Sequence, residues 1–220
     1  MELERLDHVA LWVADRDAIA DFAVAHLGMH VIERTERFTL IGSHARHGKL
    51  TLFAEEPSRE AGALAEIGLR VTSLEQALAA LPEGHDERFE ICDGLWIRLV
   101  EAETEVDYDL HHVALTTRDP GAAADVWEAL GMKRAGEGRM EVAGSYVELW
   151  PGDPGKPERP LLNHLGVLVK TADEWRARAE AAGAEIADVV DAPNTYAVFV
   201  WGPERAKLEY VEHKPGFSLE

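Results

Sequence analysis

A short apolar segment with a histidine at its third position occurs three times in the chain, and this repeat restricts the fold more than any other feature. The three copies occupy residues 6–11, 110–115 and 162–167. Each is followed by a stretch with a helical pattern. A repeated segment of this kind indicates an architecture built from copies of one supersecondary unit. The fold therefore depends on what one unit forms and on how the copies pair.

Each repeat predicts a module with the same element order: a strand, a helix and about three short strands. In the fourth module the helix begins with a capping box, Thr171 followed by Glu174, and ends at Gly183. In the third module Asp119 and Pro120 mark the helix start, since the first helical position needs no N–H donor. A fainter copy after residue 65 supplies the second module. The sequence thus predicts an α+β protein of four modules.

Composition limits the classes of partner. The chain of 220 residues has 22 basic and 41 acidic side chains and a formal charge of −19, which disfavours nucleic acids and anionic membranes. Cys92 is the only cysteine, so no intramolecular disulfide can form, as expected in a reducing cytoplasm. The chain shows no signal peptide, and no apolar run approaches the roughly 20 residues that span a bilayer. We expect a cytoplasmic monomer or homodimer that acts on a small molecule.

Two linkers divide the modules. Residues 101–107 form an acidic run between the second and third modules, and residues 151–157, rich in proline and glycine, separate the third from the fourth. The predicted domains are residues 1–104, a metal-free pair of modules, and residues 105–220, a pair that carries a metal site.

The metal site is predicted from four residues at equivalent places in two modules. His112 and His164 begin the first strands of modules three and four, while Glu148 and Glu209 lie within the last strands. A half-buried carboxylate is unfavourable unless it is paired or binds a cation. If these modules pair, the four side chains form a mixed nitrogen and oxygen site for one divalent ion: Zn, Ni, Co, Mn or Fe(II). Without Glu148, the set is that of non-haem iron oxygenases.

The N-terminal half is predicted to hold no metal. The places equivalent to the ligands are Thr51, Glu66 and Arg98, which leaves His8 without partners and favours a salt bridge between Glu66 and Arg98. The remaining histidines without a patterned partner are predicted to lie at the surface: His26, His30, His44, His47, His85 and His213.

From residue 6 to about residue 211 the chain resembles the vicinal oxygen chelate superfamily, which includes glyoxalase I, methylmalonyl-CoA epimerase, extradiol dioxygenases and bleomycin resistance proteins. The resemblance implies paired βαβββ modules, with metal ligands on the first and last strands of a module. On this sequence those positions are His112, Glu148, His164 and Glu209.

The resemblance implies three possible functions. The first is a glyoxalase I or epimerase type of enzyme, in which the metal binds vicinal oxygens and stabilises an enediolate, and either Glu148 or Glu209 is the general base. The second is an extradiol dioxygenase with His112, His164 and Glu209 as ligands, although Phe199 stands where those enzymes carry a tyrosine. The third is a metal-free binding protein. The residues expected to line the substrate pocket are Tyr146, Trp150, Tyr196, Phe199 and Trp201.

Overall fold

The computed structural model describes residues 1–57, 59–92 and 94–219. In these ranges the chain forms four α-helices and fifteen strands in two sheets, which confirms the α+β class. The first module comprises β1 (Arg5–Val13), α1 (Arg16–His26), β2 (His30–Arg34), β3 (Phe38–Gly42) and β4 (Lys49–Ala54). The second comprises β5 (Leu64–Val71), α2 (Leu74–Ala80), β6 (Arg88–Glu90) and β7 (Trp96–Glu101).

The C-terminal half repeats the same order. The third module comprises β8 (Asp109–Thr117), α3 (Pro120–Ala129), β9 (Lys133–Arg134), β10 (Arg139–Val142) and β11 (Ser145–Pro151). The fourth comprises β12 (Leu162–Leu168), α4 (Ala172–Ala181), β13 (Ile186–Asp191), β14 (Thr195–Trp201) and β15 (Lys207–His213). Module two has two described strands after its helix, where the other modules have three.

Local capping explains most helix starts. The Asp119 carboxylate accepts a hydrogen bond from the Ala122 amide at 2.9 Å, so α3 begins where the sequence predicts. The capping box at Thr171 is not formed, and the first turn is bound from another element: the carboxylate of Glu212 on β15 accepts from the Ala172 amide at 3.0 Å. None of the helices in the described ranges is long and apolar enough to cross a membrane.

The sheets combine the modules differently from the prediction. Strands of modules four and one form an eight-stranded sheet, ordered β13-β14-β15-β12-β1-β4-β3-β2. Modules two and three form a seven-stranded sheet, ordered β6-β7-β5-β8-β11-β10-β9. First strands pair antiparallel at both junctions, β1 with β12 and β5 with β8. We expected module one to pair with module two and module three with module four, and the strand order corrects this expectation. Each sheet therefore contains strands from both residues 1–104 and residues 105–220.

Side-chain alternation gives β15 two different faces. Tyr210 stacks on Trp175 of α4 with ring centroids 5.3 Å apart, and its hydroxyl donates to the Leu130 carbonyl at 2.8 Å. This face belongs to the apolar core, which also contains the buried Trp127. Because adjacent residues of a strand point to opposite faces, Glu209 lies on the other side of the sheet. We call that side the site face, and it carries His8, His164 and Glu209.

Candidate metal centre

Three potential metal ligands meet on the site face of the eight-stranded sheet. Nε2 of His8 lies 3.0 Å from Nε2 of His164, and Oε2 of Glu209 lies 2.8 Å and 3.0 Å from these two nitrogens. All three residues are buried, at 6–9% exposure. This cluster is the one group of histidine, cysteine and acidic side chains in the described chain whose ligand atoms converge closely enough to hold a metal ion.

Strand register brings the three residues together. Glu209 lies opposite Gly166 in the parallel pair β12–β15, and Gly166 lies opposite His8 in the antiparallel pair β1–β12. A Cβ atom on Gly166 would lie 2.2 Å from the His8 ring, so only glycine leaves room for the imidazole over β12. The absence of a side chain at Gly166 thus lets His8 approach the two ligands from module four.

Outer partners orient both imidazoles. Nδ1 of His8 donates to the Asp7 carboxylate at 2.9 Å, and Nδ1 of His164 donates to the Asn163 side-chain oxygen at 3.0 Å. The Asp7 carboxylate is itself held by the Lys49 ammonium at 2.9 Å. Each Nδ1 is bound to an oxygen, so both Nε2 atoms are directed at Glu209. Hydrogen bonds of this kind fix the tautomer and ring orientation of metal-binding histidines.

The centre favours positive charge. Burial opposes ionisation of Glu209, but the adjacent His8 and His164 rings hold the pKa of its carboxyl well below the usual range. Burial also opposes protonation of His8, yet the Glu209 and Asp7 carboxylates outweigh it and raise the pKa of its ring to about 9. For His164 burial dominates and lowers the pKa. Two buried carboxylates therefore surround a position where a cation is stabilised.

The geometry of the three ligand atoms fits a divalent metal ion. Oε2 of Glu209 is buried and has no hydrogen bond of acceptable geometry. Bonds of about 2.1 Å place neighbouring ligands of an octahedral ion about 3.0 Å apart, close to the observed 2.8–3.0 Å. Two imidazoles and one carboxylate on one face form the set used by non-haem iron(II) oxygenases.

Aromatic side chains surround the centre on the site face. The edge of the Phe199 ring packs against His164, with ring centroids 5.0 Å apart. Trp201 follows Phe199 on the same face of β14, and Trp12 packs on Phe53 with ring centroids 5.1 Å apart. The expected pocket residues Phe199 and Trp201 thus lie where a bound molecule could meet them.

The prediction placed two further residues at this centre, and the structure corrects it. His112 lies in the seven-stranded sheet, where its Nε2 is 3.3 Å from the Glu66 carboxylate. Glu66 also pairs with Arg98 at 2.7 Å, which confirms the predicted salt bridge. Glu148 pairs with Arg139 at 2.6 Å on the same sheet. His112 and Glu148 are separated from His164 and Glu209 because module three pairs with module two.

Three of the expected pocket residues lie elsewhere. Tyr146 and Trp150 belong to β11 of the seven-stranded sheet; the Tyr146 ring lies beneath the Arg139 guanidinium and the Trp150 indole N–H donates to Glu148 at 3.3 Å. Tyr196 lies on the opposite face of β14 from Phe199. It points toward α4, where its hydroxyl donates a hydrogen bond to Asp173 at 2.8 Å.

His8 is the member of the cluster that the sequence prediction did not include. The equivalent positions in residues 1–104 are Thr51, Glu66 and Arg98, which offer no ligand set with His8. The repeat itself contained the signal, since His8 occupies the same place as the two other repeated histidines. His213 was also expected at the surface, but its side chain is only 10% exposed and its Nε2 lies 3.7 Å from Asp7.

Comparisons with known proteins agree with this architecture. The sequence model of the Glyoxalase/Bleomycin resistance protein/Dioxygenase superfamily matches residues 5–103 and 109–210. The chain therefore belongs to this superfamily, and the resemblance inferred from the repeats is confirmed. No curated protein sequence gives a significant match.

Solved structures share the fold at low sequence identity. A Bacillus subtilis protein provisionally described as a dioxygenase has a TM-score of 0.81 at 17% identity, covering 98% of this chain and 87% of its own. Glyoxalase I from Zea mays has a TM-score of 0.75 at 14% identity, covering 94% of this chain and 92% of its own. The cppA protein of Streptococcus pneumoniae has a TM-score of 0.65 at 14% identity, covering 96% of this chain and all of its own.

Proposed function

We propose that the chain is a metal-dependent enzyme in which His8, His164 and Glu209 hold one divalent cation, beside which a small substrate with two adjacent oxygens binds. The observation that carries this proposal is the convergence of three buried ligand atoms within 3.0 Å, with both imidazoles oriented from behind. His164 and Glu209 keep the role predicted from the sequence. His8 takes the place given to His112 and Glu148.

The reaction that this ligand set supports best is oxidative ring cleavage of a catechol, of the extradiol dioxygenase type. Iron(II) or manganese(II) held by one face of three ligands would act as a Lewis acid toward the two substrate oxygens and retain a position for dioxygen. The Phe199 ring packs against the His164 ring, and Trp12 and Trp201 line the neighbouring cavity, so that apolar side chains would face a bound substrate.

A glyoxalase I type of reaction is the second candidate, favoured by the likeness of fold to the maize enzyme. That mechanism needs a carboxylate base besides the carboxylate that holds the metal. In the eight-stranded sheet the position equivalent to Glu148 is Thr51. Thr51 lies opposite Ala10 in the pair β1–β4, and Glu148 lies opposite the equivalent Ala114 in the pair β8–β11. With threonine at this position, Glu209 would have to act as both ligand and base.

Metal analysis tests the centre. Purified protein would be stripped with a chelator, dialysed against Fe(II), Mn(II), Zn(II), Ni(II) or Co(II), and analysed for bound metal. We expect about one ion per chain in the wild type and loss of it in His8→Ala and Glu209→Gln. The matched controls His112→Ala and Glu148→Gln should keep the metal. A metal-free wild type would instead support a binding protein, and loss only in the controls would reject the assigned ligands.

Oxygen uptake separates the two reactions. With the Fe(II) or Mn(II) form we expect oxygen consumption with catechols and formation of a ring-opened product. Proton exchange on a hemithioacetal or an α-hydroxy ketone without oxygen uptake would show the glyoxalase type of reaction and contradict the dioxygenase assignment. Location in the reducing cytoplasm, in keeping with the single Cys92, and a monomeric or homodimeric state are further parts of the proposal.

A further inference from the structure

A cavity of about 690 Å³ is lined by Asn163 and Lys207, which neighbour His164 in sequence and across the strand pair β12–β15. It lies at one end of the site face, between Trp12, Trp201 and Lys207 on one side and residues 154–160, the linker before β12, on the other. Small-molecule sites commonly have volumes of about 300–1,000 Å³. The cavity is therefore large enough to hold the body of a substrate whose oxygens reach the centre.

Register places the cavity next to the ligands. Lys207 lies directly opposite His164 in the pair β12–β15, and it precedes Glu209 by two residues on the same face. In the pair β1–β12, Ala10 lies opposite His164, and Trp12 is two residues after Ala10 on the same strand. Residues two apart on a strand are about 6.6 Å apart. A bidentate ligand of the metal that is one substituted aromatic ring in size would thus extend from His164 toward Lys207 and Trp12.

The cavity is positively charged although the whole chain carries −19. Five basic and three acidic side chains line it, a local excess of two positive charges; the basic ones are Arg118, Lys156, Arg159, Arg205 and Lys207. An excess of one sign of charge around a cleft raises the local concentration of ligands of the opposite sign. In this acidic protein such a pocket is suited to an anion.

Three of these cations, Lys156, Arg205 and Lys207, form no ion pair with a described residue, and two of them lie over an aromatic ring. Arg118 pairs with Glu204 and Arg159 with Glu55, but neither Lys207 nor Arg205 forms a hydrogen bond or an ion pair with a described residue. They lie instead over aromatic rings. The Lys207 ammonium is 5.5 Å from the Trp201 ring, and the Arg205 guanidinium is 4.0 Å from the same ring.

We propose that the substrate is an aromatic carboxylate, with its ring between Trp12 and Trp201 and its carboxylate bound by Lys207, with Arg205 at the rim. This inference rests on the proposed function, in which the metal binds the two vicinal oxygens. The carboxylate is inferred separately, from the basic side chains of the cavity. Half-buried Lys207 is the principal anion-binding residue, because an ammonium partly shielded from water and lacking a carboxylate partner gains most from an anionic ligand.

The test compares two probes that differ in one charge. Zn(II)-loaded protein, which cannot turn over a catechol, would be titrated calorimetrically with 3,4-dihydroxybenzoate and with its neutral amide, and zinc content would be measured in each sample. We expect the carboxylate to bind about tenfold or more tightly than the amide. Lys207→Met should reduce this ratio to about one with little change for the amide, and Lys207→Arg should restore it.

A matched control and a metal-free arm make the result decisive. Lys133→Met removes an exposed lysine that pairs only with Glu2, and it should leave the preference unchanged. Equal binding of both probes to the wild type, or a preference that survives in Lys207→Met, would overturn the inference. If the wild type binds no zinc, the proposed function fails separately. Benzoate against benzamide on metal-free protein then tests the cavity, and equal binding there overturns the inference too.

Discussion

At the scale of single residues, one position decides which sheet can bind a cation. Glu209 lies opposite Gly166 in the eight-stranded sheet, and Arg98 lies opposite Gly68 at the same place in the seven-stranded sheet. The Arg98 guanidinium neutralises the buried Glu66 from within the chain. No arginine or lysine among the described residues pairs with Glu209 in this way; its partners are the imidazoles of His8 and His164.

Lys49 and Asp7 form a buried pair behind His8, and this pair has two separable effects. Replacing Asp7 by asparagine keeps an oxygen for the His8 Nδ1 proton but leaves the Lys49 ammonium buried without a counter-charge. We expect Asp7→Asn to lower the free energy of unfolding by about 3 kcal/mol and the metal affinity by about tenfold. Denaturant titration and metal competition with a chromophoric chelator measure the two effects.

The double variant Asp7→Asn, Lys49→Met distinguishes positioning from stability. Removing the ammonium as well should recover most of the lost free energy of unfolding, while the metal affinity stays low. Recovery of metal affinity together with stability would show that Asp7 contributes only to folding.

At the scale of strands, the two sheet junctions offer a matched pair of substitutions. A Cβ on Gly166 would lie 2.2 Å from the His8 ring, and a Cβ on Gly68 would lie 2.1 Å from the His112 ring. Gly166→Ala and Gly68→Ala should each destabilise the fold by about 1–3 kcal/mol through overpacking. Only Gly166→Ala should weaken metal binding, because only His8 is a ligand. Similar metal affinity in both variants, measured alongside thermal unfolding, would remove His8 from the ligand set.

Local chemistry explains how far the elements could be predicted. The start of α3 could be predicted from the sequence because the capping residues Asp119 and Pro120 belong to the first turn of the helix itself. The start of α4 was predicted at the right place for the wrong reason, since the Ala172 amide is bound by Glu212 from a strand forty residues further along the chain. When the capping carboxylate belongs to another element, the residues around the helix start show no sequence pattern that predicts it.

At the scale of the molecule, the repeat located the modules but not their partners. His164 and Glu209 lie on adjacent strands of one module, and the register of these strands places the two side chains near each other. The third member of the cluster comes from the first strand that lies beside β12, which is β1. Packing across the whole fold decides that β1 and not β8 lies there, so the sequence prediction contained His164 and Glu209 but not His8.

Module pairing can be tested with the two halves of the chain. Residues 105–220 contain His164 and Glu209 but lack His8, and the edges of β12 and β8 that normally pair with β1 and β5 would be exposed in this fragment. We expect the separate fragment to aggregate or remain partly unfolded and to bind no metal at concentrations that saturate the full chain. Co-refolding with residues 1–104 should restore both the circular dichroism of the intact protein and one metal site. Stoichiometric metal in residues 105–220 alone would show that modules three and four can pair, because His112 and Glu148 would then have to replace His8.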